Sequence, residues 1–211
     1  MVSNAVIPFL AIAAIFSLVT PVSASRILIA QGGCDTDDPS CSQPPATSIL
    51  AATLIDDTIT ATSSYEGLDS ATWLTPYGGR GDFLAAESGS NQVHSLTLSE
   101  DDGSFKHNFN FTVGSGPVFL SLIPGGPYCA SANYDSGSFS IMNLLTKGVS
   151  TYFHKGSGPD AVRQSAPHVH SVYASSLAPG SSLVYALDLG VDKVVWYVLP
   201  VSEQLRKKES D

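Results

Sequence analysis

Residues 163–171 read RQSAPHVHS and gather an arginine, a glutamine and two of the chain's five histidines. An imidazole with a pKa near ~6.5 can take a proton from water or deliver one to carbon. His168 and His170 are therefore candidates for acid/base catalysis. Arg163 is a permanent planar cation, suited to gripping a carboxylate or phosphate through two parallel bonds. Gln164 is read with it as a substrate contact. Two other roles fit the histidines. On a strand, residues i and i+2 share a face, and H-x-H is a metal-ligand spacing. No further Cys, His, Asp or Glu follows His170 until Asp188, so no metal or other cofactor is expected. In the third role the rings only hydrogen-bond carbonyls where a strand begins.

The elements that must carry these residues follow from the pattern around them. Helical periodicity is hard to find. Short β-branched and aromatic runs alternate with Gly, Ser, Pro, Asn and Asp clusters, which predicts an all-β chain. Strands are expected at 49–55, 71–75, 83–87, 92–98, 107–112, 117–123, 128–132, 138–143, 168–175, 183–187 and 193–199. FLAAESGSNQVHSL (83–96), YCASANYDSGSFSI (128–141) and VYALDLGVDKVVWY (184–197) share one plan: strand, polar residue, turn, strand. Glu87, Asn133 and Asp188 take the polar position, spaced by 46 and then 55 residues. Each unit follows a strand that ends in a Pro or Gly turn, and GSGP recurs at 114–117 and 156–159. Four short strands per 40–50 residues is the signature of propeller blades. The expected fold is a partial β-propeller of about three four-stranded blades over residues 49–200.

Within that plan the three polar residues are read as turn caps, with Glu87 also a possible substrate-binding group if it faces the channel. His94 and His154 stand singly in strand-like runs and read as surface or packing residues. Arg80-Gly81-Asp82 falls where the repeat needs a hairpin turn. Trp73 and Trp196 are expected to fill space between blades. No G-x-S-x-G elbow, phosphate loop or dinucleotide motif is present.

GSGPDAVRQSAPHVHSV followed by ALDLGVDKVVWYVL resembles the lactonase family of seven-bladed propellers, and ANYDSGSFSI resembles the turn of its preceding blade. That family includes bacterial-type 6-phosphogluconolactonases and the carboxy-cis,cis-muconate cyclases. The resemblance implies cofactor-free lactone or cycloisomerase chemistry on a small anionic substrate, with His168, His170 and Arg163 in the site. It also implies secretion. About three blades of seven were recognisable, so the chain is expected to be a truncated member, or one that self-associates through an uncovered blade face. The alternative is a non-catalytic secreted fragment that binds a partner.

Composition fits these expectations. The 211 residues carry a net charge of −9, and such an acidic chain does not suit nucleic acid. Residues 1–24 are uncharged, apolar from Val6 to Val19, and end in Val22-Ser23-Ala24. This reads as a signal peptide rather than a membrane anchor. Residues 25–48 form a Cys-containing arm in which Cys34 and Cys41 can form a disulfide under oxidising conditions. Cys129 is expected to be a buried small hydrophobe. Asn110-Phe111-Thr112 is a glycosylation sequon. Residues 201–211 form a charged tail.

Overall fold

In the computed structural model, which describes residues 25–31, 48–55, 58–68 and 70–200, the fold is all-β, with fourteen strands in four antiparallel sheets. Blade 1 comprises β1 (Ser25–Gln31), β2 (Ser48–Ile55) and β3 (Thr58–Glu66). Blade 2 comprises β4 (Ala71–Pro76), β5 (Asp82–Glu87), β6 (Gln92–Leu98) and β7 (Phe105–Thr112). Blade 3 comprises β8 (Pro117–Ile123), β9 (Tyr128–Asn133), β10 (Ser138–Asn143) and β11 (Val149–Phe153). Blade 4 comprises β12 (Val169–Ala178), β13 (Ser181–Asp188) and β14 (Lys193–Pro200).

The three repeats are blades 2, 3 and 4, and the structure adds a blade before them. Its first strand, SRILIAQ, lies inside what reads as an arm. Its third, TITATSSYE, is almost wholly exposed, so no apolar alternation marks it. The five-residue β11 is likewise too short and too evenly half-buried to stand out. Cys34, Cys41, residues 1–24 and the tail lie outside the described residues.

Three apolar layers join the four sheets. Between blades 1 and 2 lie Ile49, Leu74, Phe83 and Leu96. Between blades 2 and 3 lie Leu84, Val93, Phe111, Cys129 and Met142. Between blades 3 and 4 lie Phe139, Ile141, Val172 and Val184. Each fully buried large side chain contributes about 1.5–3 kcal/mol. Cys129 is free and buried, and desolvation pushes its thiol up to about 12, so it behaves as a small hydrophobe.

The second strands of blades 2 and 3, DFLAAE and YCASAN, are buried on both faces because each is sandwiched between neighbouring blades. In contrast, β13 alternates because only one of its faces meets a described blade. Trp73, Phe119 and Tyr173 pack in series across three inner strands, with ring centroids 4.1 and 5.0 Å apart. Trp73 therefore fills space between blades, as expected. Trp196 does not: it is 65% exposed on the outer face of blade 4, where no described sheet covers it. Arg80-Gly81-Asp82 forms the β4–β5 hairpin turn. Gly81 has φ +80°, and a Cβ there would strike the Leu98 carbonyl.

Candidate functional site

The registers Ala71↔Glu87, Pro117↔Asn133 and Val169↔Asp188 place the start of each inner strand beside the end of the second strand. His168 immediately precedes β12 at this end of blade 4. Its peptide is held on both sides: the N–H donates to Asp188 Oδ1 at 2.8 Å, and the carbonyl accepts from Leu189 N–H at 2.9 Å. Its ring belongs to blade 3. Nδ1 lies 3.0 Å from the Tyr134 carbonyl oxygen, and the imidazole stacks on the Tyr134 ring at 4.4 Å and 19°. A carbonyl only accepts, so Nδ1 carries a proton and Nε2 is the basic nitrogen. No buried side-chain nitrogen or oxygen among the described residues lacks a partner, and Nε2 has none, so it faces solvent.

His170 does not follow simple strand alternation. All three recognised inner strands bulge at their second residue: Thr72, Val118 and His170. A bulge inserts one unpaired residue and turns its side chain away from the regular face. The expectation that His168 and His170 share one strand face therefore fails. Tyr134 brings the two rings together instead, with His170 exposed and edge-on to it at 5.9 Å and 88°.

The segment 166–168 is gripped between two glycine turns. A Cβ on Gly137, which has φ +56°, would strike Pro167. One on Gly190 would strike the Ala166 carbonyl and the His168 nitrogen. Only glycine allows the turns of blades 3 and 4 to approach this closely.

Arg163 is exposed on the turn before this segment, with its N–H bonded to Asp160 Oδ1 at 3.0 Å. Backbone N–H groups of Arg163 and Val162 hold the Asp160 carboxyl below its ordinary value. Gln164 braces the loop. Its Nε2 donates to Leu189 O at 2.9 Å and Asp192 Oδ1 at 2.6 Å, and its Oε1 accepts from Asp160 N–H at 3.0 Å. Its amide is thus occupied within the protein.

Glu87 lies in blade 2, two blades from His168, and is buried. His94 Nε2 is 2.8 Å from its Oε2, Ser90 donates to the same oxygen, and His94 Nδ1 is 3.1 Å from His107 Nε2. The structure does not bring Glu87 to the histidine cluster. Among the described residues no group of His, Cys, Asp and Glu is placed to hold a metal ion. Asn110 is exposed on β7 and donates to Gln92.

Two pairings escaped the sequence reading because their members lie in different runs. His94 and His154 are not lone surface or packing residues; each joins a buried carboxylate, Glu87 and Asp188 respectively. The clue was positional: Glu87 and Asp188 occupy the same place in the repeat, and a buried carboxylate needs a charged or donor partner. His107 is held below its ordinary value, first by desolvation and then by the charge of His94. A base depressed in the folded state stabilises the fold above its unfolded pKa of about 6.5, and that contribution is lost as pH falls through the lower folded value. The thermal midpoint is expected to fall between pH 7 and pH 5, with a shallower fall in His107→Gln. The effect is small because the ring is largely exposed. An unchanged slope in differential scanning fluorimetry removes His107 from the account.

Residues 40–210 match the family model described as Lactonase, 7-bladed beta-propeller. The 6-phosphogluconolactonase of Bacillus subtilis is 31% identical over 117 residues, covering 53% of this chain and 32% of that protein. A 6-phosphogluconolactonase candidate from Bacteroides fragilis superimposes with a TM-score of 0.67 at 20% identity, covering 89% of this chain and 51% of that one. The periplasmic gluconolactonase of Pseudomonas aeruginosa does so with a TM-score of 0.64 at 19% identity, covering 83% and 50%. At these identities the structural matches show the fold. The chain spans about half the length of the solved structures it matches.

Proposed function

The chain belongs to the lactonase family of seven-bladed β-propellers, and on that premise we propose that it hydrolyses a small anionic lactone of the 6-phosphogluconolactone type, with His168 as general base. The observation that carries this reading is the state of the His168 ring. Nδ1–H is fixed on Tyr134 and Nε2 is open to solvent at the end where the blade turns converge. Nε2 takes a proton from water as the water oxygen bonds to the lactone carbonyl carbon. The tetrahedral intermediate then expels the ring oxygen. The imidazolium returns the proton to that alkoxide, leaving an open hydroxy acid. His170 packs edge-on to the same Tyr134 ring on which His168 stacks, and is proposed as a second proton carrier at this end of the blade. The test is turnover of a phosphorylated δ-lactone and its neutral parent, measured by proton release above the spontaneous rate. Closure of an unsaturated dicarboxylate, which would use the same imidazole to protonate carbon, serves as the alternative substrate.

Arg163 is the group for the substrate's charge. A charge-assisted bond is worth about 1.5–3 kcal/mol, less at an exposed site. Arg163→Gln is expected to raise KM for the phosphorylated lactone about tenfold and to leave the neutral lactone unchanged. Equal effects on both would remove Arg163 from anion recognition.

The leader sequence supports secretion, and cleavage after Ala24 would leave β1, which begins at Ser25, intact. In that compartment Asn110, on an outer strand, is proposed to carry glycan, and Cys34 and Cys41 to pair. A second reading, self-association, is favoured by the outer face of blade 4. Tyr173, Tyr185 and Trp196 are directly opposite one another in the ladder. Val194 and Val198 flank Trp196 and are 61% and 49% exposed. A contiguous apolar patch of this kind marks an interaction surface. Light scattering should give twice the monomer mass, and Trp196→Lys should return the monomer; a wild-type monomer at high concentration ends this reading.

A further inference from the structure

We propose that His154, which the mechanism above does not use, is a positioning residue for His168; the proposal rests on the reading of His168 as the base. His154 follows β11 in blade 3, yet its ring points into blade 4. Its Nδ1 is 2.7 Å from Asp188 Oδ2, and its Nε2 is 3.0 Å from the Tyr197 hydroxyl. The His154 and Asp188 side chains are 4% and 0% exposed, and their pairing spans 34 residues of sequence.

Asp188 divides its two oxygens between two tasks. Oδ1 accepts from the backbone N–H of His168 at 2.8 Å and of Gly190 at 3.0 Å. Oδ2 has His154. A carboxylate buried with one oxygen unpaired would take up a proton or turn toward another donor, and either change loosens Oδ1 from His168. The Tyr197 hydroxyl can donate to His154 Nε2 or accept from it, so Nδ1–H faces Asp188 whether the ring is neutral or charged.

The backbone of His154 acts on the same segment from the other side. Its N–H donates to the Gly137 carbonyl at 2.9 Å, and Gly137 lies against Pro167. Both walls gripping 166–168 are therefore tied to residue 154. His168 takes its backbone position from blade 4 and its ring tautomer from blade 3. Its Nε2 keeps one direction only while the two blades hold their register, and His154 links them at that point.

The experiment is amide hydrogen exchange by NMR on the full chain, with lactone turnover measured alongside. His154→Phe fills the space without a donor. It is expected to speed exchange at His168 and Gly190 at least tenfold, leave Val172 and Ala186 unchanged, and lower kcat with KM unaltered. His154→Asn, whose amide nitrogen can replace Nδ1, should restore protection to within about threefold. Unchanged exchange at His168 in the Phe variant, or no recovery in the Asn variant, overturns the proposal. If the Phe variant does not fold, Tyr197→Phe is measured instead. It should speed exchange at His168 about threefold, and no change there overturns the proposal equally. The exchange readout does not need turnover: a wild-type chain that hydrolyses no lactone while His154→Phe still frees His168 sinks the base assignment alone.

Discussion

His168→Asn is expected to lower kcat/KM for lactone hydrolysis by about 10²- to 10⁴-fold, the usual contribution of a positioned general base. The variant is chosen for its geometry. Its amide nitrogen can replace Nδ1 and keep the bond to the Tyr134 carbonyl, and the backbone bonds to Asp188 and Leu189 do not involve the side chain. What it lacks is a basic nitrogen at Nε2. The thermal midpoint should therefore stay within about 3 °C of wild type while turnover collapses. KM should change little, since an uncharged lactone ring meets Nε2 through water. Steady-state kinetics and a melting curve on the same preparation decide the matter. A folded variant with wild-type turnover would falsify the assignment of His168 as base. A variant that melts far below wild type would make the histidine a pin for the β12 start instead.

Phe139→Ala is expected to produce the largest loss of stability, about 3–5 kcal/mol, or roughly 10 °C in thermal midpoint for a chain of this size. Phe139 is fully buried between blades 3 and 4. Its ring stacks on Tyr152 at 4.9 Å and 13° and meets Tyr197 at 4.6 Å. His154 stands edge-on at 6.2 Å. Truncation leaves a cavity beside the His154–Asp188 pair, so the seam loosens where the candidate base is held. Turnover should then fall at temperatures well below the melting midpoint. Chemical denaturation gives the stability change. A loss under 1 kcal/mol would mean that the blades repack without the ring, and that the seam does not depend on its shape.

These expectations draw on different levels of the molecule, and the sequence reached them unequally. The strands of blades 2 to 4, β11 excepted, were legible because strand alternation and turn chemistry are local. FLAAE, YCASA and the Pro or Gly turns before them announce themselves within ten residues. The polar residue at the end of each second strand was legible as a repeat position for the same reason. β3 was not, because a strand exposed on both faces has no apolar period to read. The ILIA run of β1 was apolar, but its position shortly after the apolar run of residues 6–19 masked it.

The candidate site divides along the same line. The composition of RQSAPHVHS marked an acid/base and anion-binding segment, since those side-chain chemistries are intrinsic. What each residue does depended on contacts between blades. Gln164 spends its amide on Leu189, Asp192 and Asp160. His170 sits in a bulge that breaks the i, i+2 rule. Glu87 turns to His94, away from the cluster. By itself, then, the sequence determined the all-β class, the blade period and the chemical repertoire, because propensity, turns and side-chain pKa act over a few residues. Only the tertiary structure decided which carboxylate meets which histidine, and which imidazole nitrogen stays free. Those outcomes depend on the faces of separate sheets packing in one register, and no local pattern in the chain encodes that register.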